Sequence, residues 1–404
     1  MVTPRLTRLA VSNFRSLEKV DIPLGTLTVM IGPNGSGKTN VLNLLRFLAS
    51  TVRFDLAATI EQWGGLEHVK RRSSVGNQKV TIEVSGLLTE HASDTALDQY
   101  KLSFHSTPKG ALKRSEEFTF KRTKGRGRRI NTHINVSGRQ VKIRPEGEIT
   151  GTETDQRELA TEQSTGLSIL PRLSDEEGGE GIRSLADFLS SIRVLEPNVD
   201  SARWPSRLVF RESIADDADN LSSALYNLYS TAEESFNSLV EELRICLPGL
   251  DAIEFLPVGG PGRGVIIALK EKGLTSPIEL TYASFGTIRL LALLTALHEP
   301  NPPPFTAIEE VDHGLHPYAL DVLVDRLRAA SRNTQILITT HSPTLVNRLE
   351  PSELVICNRD PKTSASIIPY KNSATLASAQ EKSSLPLGEL WFAGALGGVP
   401  DNDT

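Results

Sequence analysis

The chain has 404 residues, 39% hydrophobic and 23% charged, with a formal net charge of −5. That describes a globular protein long enough for at least one full core, and it excludes a disordered, fibrous or strongly basic nucleic-acid-binding chain. The two cysteines, Cys246 and Cys357, exclude a disulfide scaffold or multi-cysteine metal site and suit the cytoplasm, and no apolar run reaches the roughly 18 residues of a membrane span.

Residues 6–14 and 20–24 alternate polar and apolar as short strands, without the apolar core of a signal peptide. Residues 26–31 (TLTVMI) form an apolar run between glycines, as a buried strand should. A Gly-rich segment, 32–39, then leads into 40–52, whose apolar residues recur at helical spacing. From 79 to 144, pieces such as KVTIEVSGLL and THINVSGRQVKI alternate with turn residues and predict an antiparallel sheet. Residues 145–181 are polar, acidic and Gly-rich, and are expected to form a long loop or linker. Residues 218–246 make the longest helical stretch, ended by Pro248-Gly249. Strands are predicted at 264–270 and 278–282, with an apolar helix at 285–297. The remainder alternates strand and helix: PFTAIEE, HPYALDVLVDRLRAAS, QILITTH and SELVICNR. Such alternation means parallel pairing, so the fold class is α/β.

Residues 32–39 read Gly-Pro-Asn-Gly-Ser-Gly-Lys-Thr and fit the phosphate-loop pattern G-x-x-x-x-G-K-[ST]. Glycines let the backbone approach a phosphate that a Cβ would hold off. Amide N–H groups of Asn34, Gly35, Ser36, Gly37, Lys38, Thr39 and Asn40 lead into the positive end of the following helix. Lys38 is placed to reach the β- and γ-phosphates of ATP, and the Thr39 hydroxyl to bind Mg²⁺. A buried strand before the loop and an amphipathic helix after it supply the context that the motif requires.

PFTAIEE is an apolar strand ending in two carboxylates, Glu309 and Glu310, about 270 residues after the loop. One acid there can hold the magnesium water shell, and a second can polarise the attacking water. Glu309, Glu310, Asp312, His313 and His316 also read as a dense set of metal-ligand types. His313 and His316 straddle a glycine just before Pro317, however, and share no established helix face, which argues against a dedicated transition-metal site. His341 follows the ILITT strand and fits a γ-phosphate-sensing role.

Taken in order, Asn13-Phe14-Arg15-Ser16-Leu17, GPNGSGKTN, AIEE, GLHP and TTHSP make the chain resemble the ABC-type ATPases of the RecF, SMC and OLD group. The likeness is firm over about residues 1–50 and 278–400 and architectural between them. It implies that residues 282–287 (YASFGT) form the signature segment, whose helix start, at Ser284 and Gly286, meets the γ-phosphate bound by a second subunit. It further implies that Glu309 takes the magnesium position with Thr39, that Glu310 is the catalytic base assisted by Lys38 and His341, and that Gly314-Leu315-His316-Pro317 crosses a homodimer interface. Three departures stand out. Val311-Asp312 replaces a common Pro-Glu, the signature lacks its usual second glycine and has Phe285 before Gly286, and the glutamine of the magnesium shell has only Gln62, Gln156 and Gln163 as candidates.

The resemblance implies an ABC-type P-loop ATPase head with ATP and Mg²⁺ as cofactors. Residues 1–150 and 285–404 are expected to form the nucleotide-binding lobe with its antiparallel β subdomain, and 151–284 an inserted linker and helical lobe. About 240 residues between the nucleotide motifs are too few for full SMC coiled coils, and the 63 after His341 are too few for a TOPRIM nuclease domain. A separate nuclease or TOPRIM effector subunit is therefore expected as a partner, in DNA transactions or anti-phage defence. The alternative, which the altered signature keeps open, is a slowly hydrolysing, ATP-gated sensor or scaffold that binds nucleic acid or a partner protein. Lys121–Arg129 (KRTKGRGRR) carries six cations in nine residues and no aromatic; it reads as a solvated loop or as a sequence-independent grip on DNA phosphates. The apolar tail at 387–400, with Trp391-Phe392, reads as core packing or as a docking surface.

Overall fold

Alternating apolar residues near the N-terminus build the first sheet. In the computed structural model, residues 4–72, 79–124, 128–145, 155–159, 161–208, 213–260, 263–368 and 373–397 are described, without the side chains at 121–131, 145, 155 and 176. The chain divides into two units, Met1–Ile192 with Val355–Asn372 and Gly397–Thr404, and Arg193–Leu354 with Ser373–Leu396.

In the first unit, β1 (Arg5–Phe14) and β2 (Leu17–Pro23) pair antiparallel, with Leu9 opposite Ile22 and Val11 opposite Val20. Every residue of β3 (Leu27–Ile31) is buried, as its apolar run requires. It leads to α1 (Lys38–Arg53), which buries Val41, Leu44, Leu45 and Leu48 at helical spacing. Two short helices follow, α2 (Leu56–Gln62) and α3 (Leu66–Val69). The antiparallel sheet then grows from β1 through β4 (Val80–Leu87), β5 (Asp98–Ser106), β6 (Leu112–Lys124), β7 (Arg128–Ser137), β8 (Gln140–Pro145) and β9 (Asp155–Glu158). Edge-on contacts of Phe14, Phe47 and Trp63, with centroids 5.6–6.3 Å apart, pack under it.

Among its described residues, the stretch expected as a linker at 145–181 is not a plain loop. Besides β9 it carries α4 (Gly166–Ile169), two 3₁₀ turns and the start of α5 (Gly179–Ser190). Its glycines serve close packing: a Cβ on Gly179 would lie 2.0 Å from Leu173 O, and one on Gly181 2.6 Å from the Phe120 ring. Glu116, fully buried and ion-paired with Arg114, also accepts from Gly166 N at 2.7 Å and Tyr100 Oη at 2.8 Å. Local polarity conceals these contacts because their partners come from β5 and β6.

The second unit opens with β10 (Arg193–Leu195), α6 (Val199–Ala202) and β11 (Ser206–Arg207). The helix predicted over 218–246 is two helices, α7 (Leu221–Thr231) and α8 (Glu233–Cys246), broken at Ala232 with φ −144° and ψ 65°. Ser230 and Thr231 hydroxyls bond back to Tyr226 O and Asn227 O just before the break, which weakens the helical ladder there. The bend lets the rings of Tyr229 and Phe236 meet at 5.1 Å. A small antiparallel sheet has β13 (Gly264–Glu271) between β11 and β12 (Leu250–Val258), with β14 (Ile278–Glu279) also on β13. The strand predicted at 278–282 stops at Glu279, and Leu280–Tyr282 make a 3₁₀ turn.

Next come α9 (Phe285–Leu297), β15 (Phe305–Ile308), α10 (Pro317–Ala330), β16 (Gln335–Thr340) and α11 (Pro343–Val346). As the alternation predicts, β10, β15 and β16 pair in parallel. The chain continues through β17 (Leu354–Ile356), β18 (Asn358–Arg359) and β19 (Ser366–Ile367), and Ser366 pairs in parallel with Leu17 in the first unit. The second unit closes with α12 (Ser373–Ser383) and α13 (Leu387–Phe392), which buries Trp391 and leaves Phe392 exposed. Among the described residues no helix is long and apolar enough to cross a membrane.

Candidate functional site

Asn34, Gly35, Ser36, Gly37, Lys38, Thr39 and Asn40 lie in the first unit, between β3 and the first turn of α1. Gly37 precedes α1 with φ 103°, and a Cβ there would lie 2.1 Å from Ser366 Oγ. Gly35 has φ 75°; both positions demand glycine. Lys38 is buried and donates through Nζ to Gly32 O at 2.8 Å and Pro33 O at 3.1 Å, so its ammonium lies across the turn. Ser36 Oγ is buried without a hydrogen-bond partner. The start of α1 has no side-chain cap, so the positive end of the helix opens directly onto the loop. The donor set therefore fits a phosphate, which would take up the buried Ser36 hydroxyl beside a nearby cation.

The loop is held from behind by residues that the motif does not contain. Asn40 Nδ2 donates to Ser16 Oγ at 2.7 Å, and Ser16 Oγ is 2.7 Å from Ser366 Oγ. Ser366 N also donates to Ser16 O at 2.9 Å. The Asn13–Leu17 turn and β19 thus form a brace. Ser366 carried no sequence signal, since its partners are 350 residues away for Ser16 and set by strand pairing. Cys357, whose carbonyl abuts Gly32, is buried and its thiol is pushed up to about 12. The glutamines considered for a magnesium shell lie at the end of α2, on β9 and in the bend before α4.

Ser284, Gly286, Glu309, Glu310 and His341 lie in the second unit. Ser284 caps α9, accepting from Thr287 N at 3.1 Å, and is exposed. Gly286 packs against the turn after β15, where its Cβ would lie 2.6 Å from Gly314 O. The Phe285 ring covers Gly314 and stands 5.3 Å from the His313 ring. Glu309 and Glu310 follow β15 directly. Glu310 is left-handed, with φ 44°, and its N–H donates to Thr339 Oγ1 at 2.9 Å. Its carboxylate, about half exposed, is 3.8 Å from His313 Nδ1 and 4.0 Å from His341 Nε2. A cavity of about 410 Å³ beside it is lined by Glu196, Asp200, Phe285, Arg289, Glu309 and Glu310.

The acids and histidines of 309–316 do not converge on an ion. His316 turns away to cap α10, accepting from Tyr318 N at 3.2 Å, and among the described residues no group of three or more His, Cys, Asp or Glu is arranged to hold a metal. What the turn does assemble is a carboxylate with two imidazoles and the start of α9, brought together from segments up to about 57 positions apart. Part of the basic run Lys121–Arg129 lies outside the described residues; Lys124 and Arg128 pair across β6 and β7.

Residues 27–347 match the family described as AAA domain, putative AbiEii toxin, Type IV TA system. The OLD nuclease of Thermus scotoductus is 24% identical over 398 residues, covering 93% of this chain and 67% of that protein. An Smc head bound to the C-winged helix domain of ScpA superposes with a TM-score of 0.54 at 15% identity, covering 91% of this chain and 98% of the head. The Smc head with an extended coiled coil from Pyrococcus furiosus, bound to the C-terminal domain of ScpA, gives 0.53 at 13%, covering 95% and 100%. At such identities the heads share a fold with this chain. The family match spans most of the sequence and both sets of motifs, so the chain belongs to this AAA-domain family and is an ABC-type ATPase of the RecF, SMC and OLD group.

Proposed function

We propose that the protein binds ATP with Mg²⁺, hydrolyses it, and closes as a homodimer on ATP. The observation carrying this reading is the phosphate loop, with its left-handed glycines, buried Lys38 and uncapped α1 start. Lys38 and the loop amides hold the phosphates. Thr39 and Glu309 hold the magnesium ion, which supplies charge neutralisation when bound. Glu310 accepts the proton of the attacking water, and His341 contacts the γ-phosphate. Ser284 and Gly286 bind the γ-phosphate of the second copy from a helix N-terminus.

The family's toxin–antitoxin description and the nuclease relative support a role in DNA transactions or phage defence alongside a separate nuclease effector. The basic run Lys121–Arg129 is the proposed DNA contact. One observation favours slow, sensor-like turnover: Phe285, before Gly286 in the altered signature, puts a ring over Gly314 beside Glu310.

Glu310→Gln tests the assignment. ATP binding should persist, phosphate release should fall about 10²–10⁴-fold, and light scattering should show an accumulated ATP-dependent dimer. A mass independent of ATP in this variant overturns the dimer, and unchanged phosphate release overturns the base.

A further inference from the structure

Arg289 lies on α9, five positions after Ser284, and is only 5% exposed. Its Nη1 donates to Pro197 O at 3.1 Å. Its Nη2 donates to Glu309 O at 3.0 Å and Glu310 O at 2.8 Å. These carbonyls belong to two turns, one after β10 and one after β15. Burial pushes the guanidinium's pKa down, and the carboxylates of Glu310, Asp312, Glu196 and Glu309 oppose that shift. One buried cation therefore lies in the field of four carboxylates.

Glu310 needs such support. A non-glycine residue at φ 44° is strained and persists only where its neighbours determine it. Thr339 Oγ1 holds its N–H, and Arg289 holds its C=O. On the other side of Arg289, the same helix packs Gly286 onto Gly314 O.

We propose that Arg289 is a positioning residue that clamps the backbone of Glu309 and Glu310 to the helix beginning at Ser284, so that a displacement of that helix start is felt at the Glu310 carboxylate. The proposal rests on the reading of Glu310 as the base. The planar fork matters: a lysine gathers its donors at one point and cannot serve carbonyls from two turns in the same geometry.

The test compares Arg289→Met and Arg289→Lys in the full chain, each alone and with Glu310→Gln. Arg289→Met should lower kcat about 10²-fold, the effect of misplacing a reacting group by about an ångström. KM for ATP should change by less than about twofold. Arg289→Lys should recover part of kcat. With Glu310→Gln already present, Arg289→Met should cause no further loss of rate. A residue that only stabilised the fold would instead lower the amount of active protein and add its loss to that of Glu310→Gln. Wild-type kcat in Arg289→Met, or an additive loss in the double variant, overturns the clamp. If Arg289→Met does not fold, Arg289→Lys decides: reduced kcat at unchanged KM supports the clamp, and wild-type kcat overturns it. Hydrolysis that survives Glu310→Gln alone refutes the base reading, whereas an inactive Glu310→Gln with a fully active Arg289→Met refutes only the clamp.

Discussion

The phosphate loop and the Glu310 turn solve opposite problems. The loop is eight consecutive residues, and most of its geometry is written locally: glycines where φ is positive, a lysine that folds back on its own turn. Its charge is buried. The Glu310 turn draws on four separate segments, around 197, 284–289, 309–314 and 339–341, and its carboxylate is about half exposed. A binding element gains from rigidity and desolvation, because a preorganised cradle loses little entropy on closing round its ligand. As the proposed base, Glu310 would need access to water and a position held from behind; the rigidity around it lies in its backbone, and its side chain is left about half exposed.

This contrast can be broken at several points, and the largest effect is expected at Glu116. Glu116→Ala leaves Arg114 buried and unpaired, and removes an acceptor from Gly166 N and Tyr100. A cost of about 3–5 kcal/mol is expected, seen as a fall of roughly 6–20 °C in thermal midpoint. An unchanged midpoint would mean that the stretch after β9 is not held by this pair.

Lys38→Ala probes the loop directly. Losing charge-assisted bonds to phosphate should weaken ATP binding about 10–100-fold, measured by calorimetric titration, with the protein remaining open in light scattering. Undiminished ATP affinity would take Lys38 out of the site.

Ser284→Ala sharpens the other region. Removal of the α9 cap should cost about 1 kcal/mol, and the ATP-dependent dimer signal of Glu310→Gln should fall when the two changes are combined. A loss of stability with full dimerisation would leave Ser284 a cap and nothing more.

The smallest effect concerns the basic run. Replacing the six cations of Lys121–Arg129 by Ser should weaken DNA binding alike for all sequences. For every DNA phosphate that is no longer neutralised, the slope of log affinity against log salt should become shallower by about 0.9. An identical slope would leave the run a solvated loop.

Legibility from sequence followed distance along the chain. The P-loop, the strand–helix alternation of 285–340 and the antiparallel run from 79 to 144 were readable because glycine conformation, side-chain periodicity and turn chemistry act over a few residues. So was the family, through motifs that keep their order. What only the tertiary structure decided lay where long-range partners override local preference. Within the Gly-rich stretch of 145–181, Gly166 and Gly181 are held by Glu116 and Phe120 from the sheet. The helix of 218–246 breaks at Ala232, where aromatic rings from α7, α8 and β12 come together. Ser366 braces the loop through a parallel pairing with Leu17. Arg289 reads in sequence as the one charged residue in an apolar helix, since the carbonyls that bury it belong to residues separated from it by 92, 20 and 21 positions. Hydrogen bonds of that reach depend on where folding brings backbone together, and no local pattern encodes them.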